Sequence, residues 1–395
     1  METDFAGPVP PPHDVGAYWD PLLHSGSPAR NPCGHGGGFW ALGRYQDAQR
    51  ILREPRLFSS EGGNMLSVLD GGGDPAAGRM LVVTDPPRHT DLRGILARHF
   101  SPRALRSLEP AIAGTVDMLL DDVIGRGECD FVSQVAEKLP VKVICELLGV
   151  PQQDQDWMIE RTTTAFAGGS ATEPLQARIA YGEIMLYYSR LARDRRSEPR
   201  EDLISVLAAA RIEGRELTAA ELALNCVNLV IGGNETTRYA AASAVLAFAL
   251  HPEQFRLVQD GTASVSEAVD EVLRWATPAQ HVMRTVRDET LLGDSCLRPG
   301  DAVTVWLAAA NRDPEVFPDP ARFDVTRSAK RNLTFGTGVH TCLGIHLALL
   351  ELRILIARLA HRVDRIALAG SGRWLESNFL SGLTGLPVVL EPRVA

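Results

Sequence analysis

The longest apolar pattern in the chain lies between Thr218 and Pro252. Thr218 followed by Glu221 is a capping box, which satisfies the free N–H groups at a helix start, and Pro252 cannot continue a helix. The stretch between them predicts one helix of ~32 residues, about 48 Å at 1.5 Å per residue, long enough to cross a domain. Its middle breaks the local rules. Gly232-Gly233-Asn234-Glu235-Thr236-Thr237 puts two glycines and two β-branched residues where good helix formers belong, at roughly 1 kcal/mol per glycine against alanine. Such a defect at the centre of a good helix points to something flat approaching the backbone there.

Helical periodicity also marks residues 104–148, with a break at 125–129, and a run through 181–193. The turn-rich segment 168–174 predicts a mobile connection between two helices. Residues 39–52 read as a short strand and a helix, 85–93 as a helix opened by two prolines, 267–275 as a further helix, and 343–360 as an apolar helical run. Short β-like runs fall in 290–306, around a turn at 297–301, so sheet content is minor. Residues 1–38, rich in proline and glycine, are expected to wrap the surface. Residues 59–78, glycine-rich and without periodicity, are expected to form a long binding loop or lid. No interior stretch reads as a linker, and the 395 residues are expected to form one domain.

Composition narrows the function. With 45% apolar and 23% charged residues the chain can bury a large core, enough to enclose a cofactor. A net charge of −9 without a lysine or arginine stripe argues against a nucleic-acid partner. Six cysteines lack paired spacing, and Met1-Glu2-Thr3-Asp4 lacks the basic start and apolar core of a signal peptide, so a reducing, cytoplasmic setting is expected. The run 343–360 is interrupted by His346, Glu351, Arg353 and Arg358, which argues against a membrane span. Cys33 and His35 are a metal pair without a second pair and read as loop. Gly336-x-Gly338 lacks the third glycine of a dinucleotide fingerprint, and no phosphate-binding loop or serine-nucleophile motif is present.

Candidate chemistry concentrates in residues 335–344, Phe-Gly-Thr-Gly-Val-His-Thr-Cys-Leu-Gly. Gly336 and Gly338 let the loop fold tightly. Cys342 then falls where the next helix is expected to begin, and helix N-terminal N–H groups favour a thiolate. One cysteine is too few for structural zinc or an iron–sulfur cluster, whereas a single axial thiolate suits heme. Taken alone, a lone cysteine beside a glycine turn is more often a buried apolar thiol. Likewise His89 and Arg93, four apart on one helix face, could be a solvated pair, and Glu271-x-x-Arg274 is a commonplace i, i+3 ion pair.

Together and in this order, these stretches resemble the cytochrome P450 family. Its heme-loop pattern, Phe-x-x-Gly-x-x-x-Cys-x-Gly, falls on Phe335, Gly338, Cys342 and Gly344. Its oxygen-binding pattern falls on Gly232, Gly233, Glu235 and Thr236. Gly232 stands where alanine is more usual, and Asn234 where histidine is, and neither removes a catalytic group. The resemblance runs from about residue 39 to the end and is closest to the bacterial branch.

The resemblance implies a mainly α fold with a minor β region, shaped as a triangular prism, with heme b between the long central helix and the cysteine-loop helix. Cys342 would ligate iron, Phe335 would pack over the loop side of the heme, and Gly232 and Gly233 would admit the ligand face. His89, Arg93, Arg284 and His340 would hold the propionates. Glu235 and Thr236 would be catalytic, delivering protons through ordered water. Glu271, Arg274 and Arg322, the last from a proline- and phenylalanine-rich segment at 317–323, would form a structural triad behind the heme.

The implied activity is that of a monooxygenase which activates O2 and oxidises a small organic substrate. Electrons would come from NAD(P)H through a ferredoxin and ferredoxin reductase, docking on a basic face of Arg98, Arg103, Arg106, Lys330, Arg331 and Arg353. Substrate determinants are expected in 59–83, 162–188 and 278–283. The stretches around Glu235 and at His281-Val282-Met283-Arg284 resemble branches that tailor natural products, some on carrier-protein-bound intermediates. Two competing readings are a non-catalytic heme protein that recruits partners and a peroxide-using enzyme. Either would be expected to lose the acid–alcohol pair that this chain keeps.

Overall fold

The computed structural model describes residues 4–32, 38–69, 71–166, 174–327 and 331–393. The Cys33/His35 pair, the connection at 168–173 and Lys330 lie outside them. The helices that frame the interior are α1 (Tyr45–Arg53), α2 (Arg88–Ala97), α3 (Glu109–Asp121), α4 (Lys138–Leu148), α5 (Gln152–Phe166), α6 (Pro174–Ser197), α7 (Ala219–Leu250), α8 (Val265–Ala276) and α9 (Ile345–Arg362). The strands beside them are β1 (Ala29–Asn31), β2 (Phe39–Leu42), β3 (Phe58–Ser59), β4 (Glu128–Asp130), β5 (His281–Val286), β6 (Ala302–Trp306), β7 (Val363–Leu368) and β8 (Pro387–Pro392).

Helix α7 has the bounds its caps predict. Thr218 Oγ1 accepts from the Glu221 N–H at 3.2 Å, the Glu221 carboxylate accepts from the Thr218 N–H at 2.8 Å, and the helix runs 32 residues to Leu250. It is buried along most of its length and packs against α4, α6, α8 and α9. The expected defect leaves the helix unbroken. The Thr236 hydroxyl donates to the Gly232 carbonyl at 2.8 Å, a back-bond one turn long within the continuous helix. At Gly233 the space a Cβ would take lies 3.4 Å from Ile144 on α4, so that crossing is close.

The break at 125–129 becomes β4, which pairs antiparallel with β8 so that Cys129 faces Val388 across the ladder. The larger sheet has the order β1-β2-β6-β5-β3, with β6 parallel to β2 and the other pairs antiparallel. In it Arg284 is opposite Val303 and Met283 opposite Thr304.

The N-terminal segment is more than a surface wrap. Phe5 and Trp19, each 2% exposed, pack with Trp306 at ring separations of 5.6 and 5.4 Å. Residues 29–31 add β1 to the sheet. Buried aromatic rings outweigh the proline-rich composition that suggested a solvated segment.

A buried buttress sits behind the cysteine loop. Glu271 and Arg274 on α8 are fully buried, and Arg274 Nε and Nη2 donate to the two Glu271 oxygens at 2.7 and 2.8 Å. The remaining Arg274 donors reach the carbonyls of Asn311, Pro320 and Arg322 at 3.0, 2.9 and 3.1 Å. The third arginine of the triad is therefore not Arg322, which contributes its carbonyl and leaves its side chain exposed. Arg327, largely buried, takes that place, its Nε 3.4 Å from Glu271 Oε1. The chain turns between the two positions, and that turn presents the later guanidinium. Asn311 and Thr334 carry the network onward. Asn311 Nδ2 donates to Thr277 and Thr334, its Oδ1 accepts from the Leu333 N–H, and Thr334 donates to the Leu273 carbonyl. The end of α8 is thereby tied to the residues just ahead of Phe335.

Candidate active site

The cysteine loop is held by its backbone. Gly336 and Gly338 adopt φ of +64° and +78°, a region that favours glycine. At Gly338 a Cβ would also lie 2.2 Å from the Leu52 carbonyl oxygen, so the loop sits directly on the end of α1. The Cys342 N–H donates to the Phe335 carbonyl at 2.9 Å and closes the loop. Helix α9 begins at Ile345 with Gly344 as N-cap, so Cys342 precedes the first turn instead of opening it. The expected lowering of its pKa is reversed. Burial pushes the thiol up, while a Gly344 N–H and nearby Arg93 pull the other way. A metal cation on the sulfur would favour the thiolate against this burial.

Cys342 and Phe335 line an internal cavity whose opposite wall is α7, through Gly232, Gly233, Thr236 and Ala240. At its rim stand His89, Arg93, Arg284 and His340. The two imidazoles approach to 4.1 Å between ring centroids, and His89, 1% exposed, has no hydrogen-bond partner on either nitrogen among the described residues. Burial lowers the His89 pKa to about 4, with Arg93 adding to the effect. Burial lowers that of His340 still further, reinforced by Arg284, His89 and Arg93. Arg284 is 5% exposed and bonds only to the Met283 carbonyl among its described contacts, and burial draws its pKa down to about 10.

Among the described residues no carboxylate forms an ion pair with this cluster, and Asp85 acts on His89 and Arg284 only through its charge. Asp85 is itself engaged, accepting from Ser59 Oγ, from the Ser60 N–H at 2.9 Å and from Arg287 Nη2 at 2.6 Å. Neutral imidazoles as donors beside two guanidiniums, all lining one cavity and without an ion-pair partner among the described residues, would fit the carboxylates of a heme held by Cys342.

On the α7 wall the acid and the alcohol part company. Thr236 faces the cavity; Glu235, 1% exposed, is absent from its lining and turns into the protein. Neighbouring positions of a helix point about 100° apart, so a pair at i, i+1 cannot share one face. Glu235 Oε2 lies 2.7 Å from Arg238 Nη2, and Oε1 accepts from Asn234 Nδ2 at 3.1 Å. Arg238 in turn reaches Glu137 at 3.1 Å and donates to the Tyr239 hydroxyl at 2.7 Å. Burial raises the Glu235 carboxyl to about 7, opposed by Arg238 and by a hydrogen bond with Tyr239.

The sequence reading missed several contributors. Arg238 was visible in principle, because Glu235-x-x-Arg238 has the same i, i+3 spacing as Glu271-x-x-Arg274. Ser60, whose hydroxyl is 3.0 Å from His340 Nε2, bridges 280 positions of chain and leaves no local signal. Glu351 on α9 lines the same cavity fully buried, one oxygen without a partner, its pKa raised by burial to about 8.

Comparison with known proteins places this geometry. The family model "Cytochrome P450" matches residues 177–365. Cytochrome P450 NovI of Streptomyces niveus is 38% identical over 89% of this chain and 86% of its own length. The structure of P450 OxyD, involved in the biosynthesis of vancomycin-type antibiotics, superposes with a TM-score of 0.89 at 36% identity, covering 95% of this chain and 96% of that one. P450BioI, solved in complex with a fatty acid ligated to acyl carrier protein, superposes at 0.84 with 29% identity over 96% of this chain and 98% of its own. Among the described residues no helix is long and apolar enough to cross a membrane. The chain belongs to the cytochrome P450 family: it is a heme-thiolate monooxygenase that holds heme b and takes electrons from NAD(P)H through separate redox proteins.

Proposed function

We propose that this monooxygenase tailors a secondary metabolite, oxidising a small and largely apolar group presented as a thioester on a carrier protein. The observation that carries the first half is the cavity itself. Beyond the Gly232–Thr236 turn it is lined by Leu81, Val82, Leu229, Ala279 and Val282, with Asn228 as an amide among them. Such a lining selects by shape and burial, with few polar anchors. The similarity to NovI and OxyD, and the carrier-protein complex of P450BioI, support the second half.

Bound over Cys342, heme supplies reductive activation of O2, with the thiolate pushing electron density toward the iron. The chain's own residues do the rest. His89, Arg93, Arg284 and His340 fix the cofactor by its carboxylates, and the apolar lining keeps bulk water from the reacting face. Thr236 Oγ1, now donating to the Gly232 carbonyl, is the hydroxyl that faces the cavity and can hold a proton-bearing water there. Glu235, titrating near neutrality behind it, is the proton reservoir, and reaches the cavity by a side-chain rotation away from Arg238 or through water. Its retention beside Thr236 favours this reading over a partner-recruiting heme protein or a peroxide-using enzyme.

A ferredoxin is the proposed electron donor. Arg98, Arg103 and Arg106 lie on short helical turns next to α9, which carries Arg353; all four are exposed and form a basic approach to the cysteine side. Arg331 is exposed as well.

An optical titration of the ferric protein tests the substrate class. A panel of free aromatic acids, amino acids and macrolides is compared with aminoacyl and acyl groups on a carrier protein, and loss of iron-bound water is read as a high-spin Soret shift. The proposal expects carrier-loaded compounds to produce the shift at the lowest concentration. A free small molecule that produces it as well would remove the carrier from the account.

A further inference from the structure

Helix α6 has two characters. Its inner face is buried through Ala180, Ile184, Tyr188, Leu191 and Ala192, and Met185 packs on Ala76, Val83 and Leu224 in a cluster that includes Val82 of the cavity lining. Its outer face exposes three large apolar side chains, Leu175 at 64%, Ile179 at 51% and Leu186 at 59%. Positions 175, 179, 182 and 186 follow the i, i+4, i+7, i+11 spacing of one helical stripe. Between Ile179 and Leu186 the stripe is flat, because Gly182 has nothing within 4 Å of where a Cβ would stand.

The same stripe is basic. Arg178 flanks its apolar half, and Arg190 and Arg193 continue it one and two turns beyond Leu186, all three exposed. None of the three forms an ion pair among the described residues, in contrast to Arg195 of the same helix, which is buried against Asp202 at 2.5 Å. The helix's acids, Glu183 and Asp194, fall to one side of the stripe, and Glu183 is occupied by Arg161 of α5 at 3.2 Å. From Leu175 to Arg193 the strip is about 27 Å long at 1.5 Å per residue. A cationic strip of this kind stands out on a chain with a net charge of −9.

We propose that the outer face of α6 is the docking surface for an acidic carrier protein, with Leu175, Ile179 and Leu186 receiving an apolar helix face and Arg178, Arg190 and Arg193 receiving its carboxylates. This rests on the carrier-bound reading above and says where the carrier sits. Charge complementarity argues for a protein with clustered acids. Exposed apolar side chains on one stripe argue for a packed contact, since aliphatic anchors contribute little unless water is excluded. A lipid surface suits the stripe less well, because it lacks the aromatic anchors that settle a helix at an interface and because the opposite face of α6 is committed to the core. The location also suits the function. The docked carrier would lie on the element whose inner side shares a cluster with Val82 of the cavity lining, so its pantetheine arm would enter past that cluster.

The test compares three ligand forms on the heme-loaded protein: acidic peptidyl carrier domains charged with each proteinogenic amino acid, the same aminoacyl groups on free pantetheine, and the free amino acids. Soret shifts give the Kd for each. The proposal expects at least one carrier-borne group to bind tenfold or more tightly than its free pantetheine thioester. It expects Leu175→Ser/Ile179→Ser/Leu186→Ser and, separately, Arg190→Glu/Arg193→Glu to erase that advantage while leaving the pantetheine Kd unchanged. The unchanged value shows that the variants are folded and the cavity intact. Equal affinity for carrier-borne and free thioesters, or an advantage that survives both variants, overturns the docking surface and leaves the oxidation of a thioester standing. Response to free amino acids alone removes the carrier-bound reading and the docking surface with it. Binding of the wild type to anionic lipid vesicles, or concentration-dependent dimerisation, that the triple variant abolishes without any carrier advantage assigns the stripe to that occupant and overturns the proposal.

Discussion

Arg238 Nη2 stands 2.7 Å from Glu235 Oε2 inside α7, with the two side chains only 3% and 1% exposed. The arginine holds the acid away from the cavity that Thr236 faces, while burial keeps its pKa at about 7. A group that titrates near working pH is matched to proton transfer, and removing one typically costs about 10²-fold or more. Glu235→Gln is expected to lower kcat by about that factor and to remove an inflection near pH 7 from the kcat profile. A glutamine variant with the wild-type profile would assign the inflection to another group.

The rim cluster makes a prediction about cofactor retention. A hydrogen bond to a charged group is worth about 1.5–3 kcal/mol, equivalent to roughly 10- to 100-fold in affinity. Arg93→Met and Arg284→Met should each speed heme transfer to apomyoglobin by a factor in that range, with the double variant faster still. The effect should persist across neutral pH, because both guanidiniums remain charged there. Unchanged transfer rates would mean that the carboxylates of the heme lie elsewhere.

The buttress predicts a graded series. Arg274→Ala strips buried Glu271 of its two short charged hydrogen bonds and leaves it only the longer Arg327 contact and the Asp324 N–H, a loss on the order of 3–5 kcal/mol. Arg327→Ala removes only a longer contact of 3.4 Å to Glu271 and leaves the two short Arg274 bonds in place, so it should cost less. Arg322→Ala keeps the carbonyl that Arg274 uses and should be close to neutral. Chemical denaturation followed by heme absorbance orders the three, and a costly Arg322→Ala beside a neutral Arg327→Ala would reverse the assignment made here.

Glu351 predicts a pH dependence of stability. Burial raises its folded pKa to about 8 from an ordinary value of 4.5, so the folded state holds its proton over a range where the unfolded chain has released it. The contribution is fully present below the unfolded pKa and is lost as pH rises through about 8. Glu351→Gln should therefore flatten the fall in stability across that window. Melting temperatures of wild type and variant at both ends of it give the answer, and parallel slopes would count against a protonated Glu351.

Electron delivery offers a further test. Arg103→Glu and Arg353→Glu should slow reduction by a ferredoxin and weaken its dependence on ionic strength, since rim charges act mainly on encounter. Unchanged rates would move the docking site away from this face.

Much of this was legible in the sequence because local chemistry determined it. A capping box and a proline bound α7, and glycines at positive φ shape the cysteine loop, while Glu271 and Arg274, a commonplace pair by spacing alone, were singled out by the family resemblance. What was not legible depends on where chains cross. A turn decides whether Arg322 or Arg327 meets Glu271. The fate of Glu235 depends on Glu137 and Tyr239 from its surroundings, and the approach of Ser60 to His340 depends on two loops far apart in sequence. The aromatic anchors Phe5 and Trp19 were hidden by the prolines around them.

The central claim is that Cys342 is the thiolate ligand of a heme enclosed between its loop and α7. The most direct measurement is the absorption spectrum of the reduced carbon-monoxide complex of the purified, heme-loaded protein, alongside Cys342→His. The account predicts the strongly red-shifted Soret band of a thiolate-ligated heme in the wild type, and its replacement by the band of a histidine-ligated heme in the variant. A wild-type spectrum without the red shift, or one that Cys342→His leaves unaltered, would contradict it.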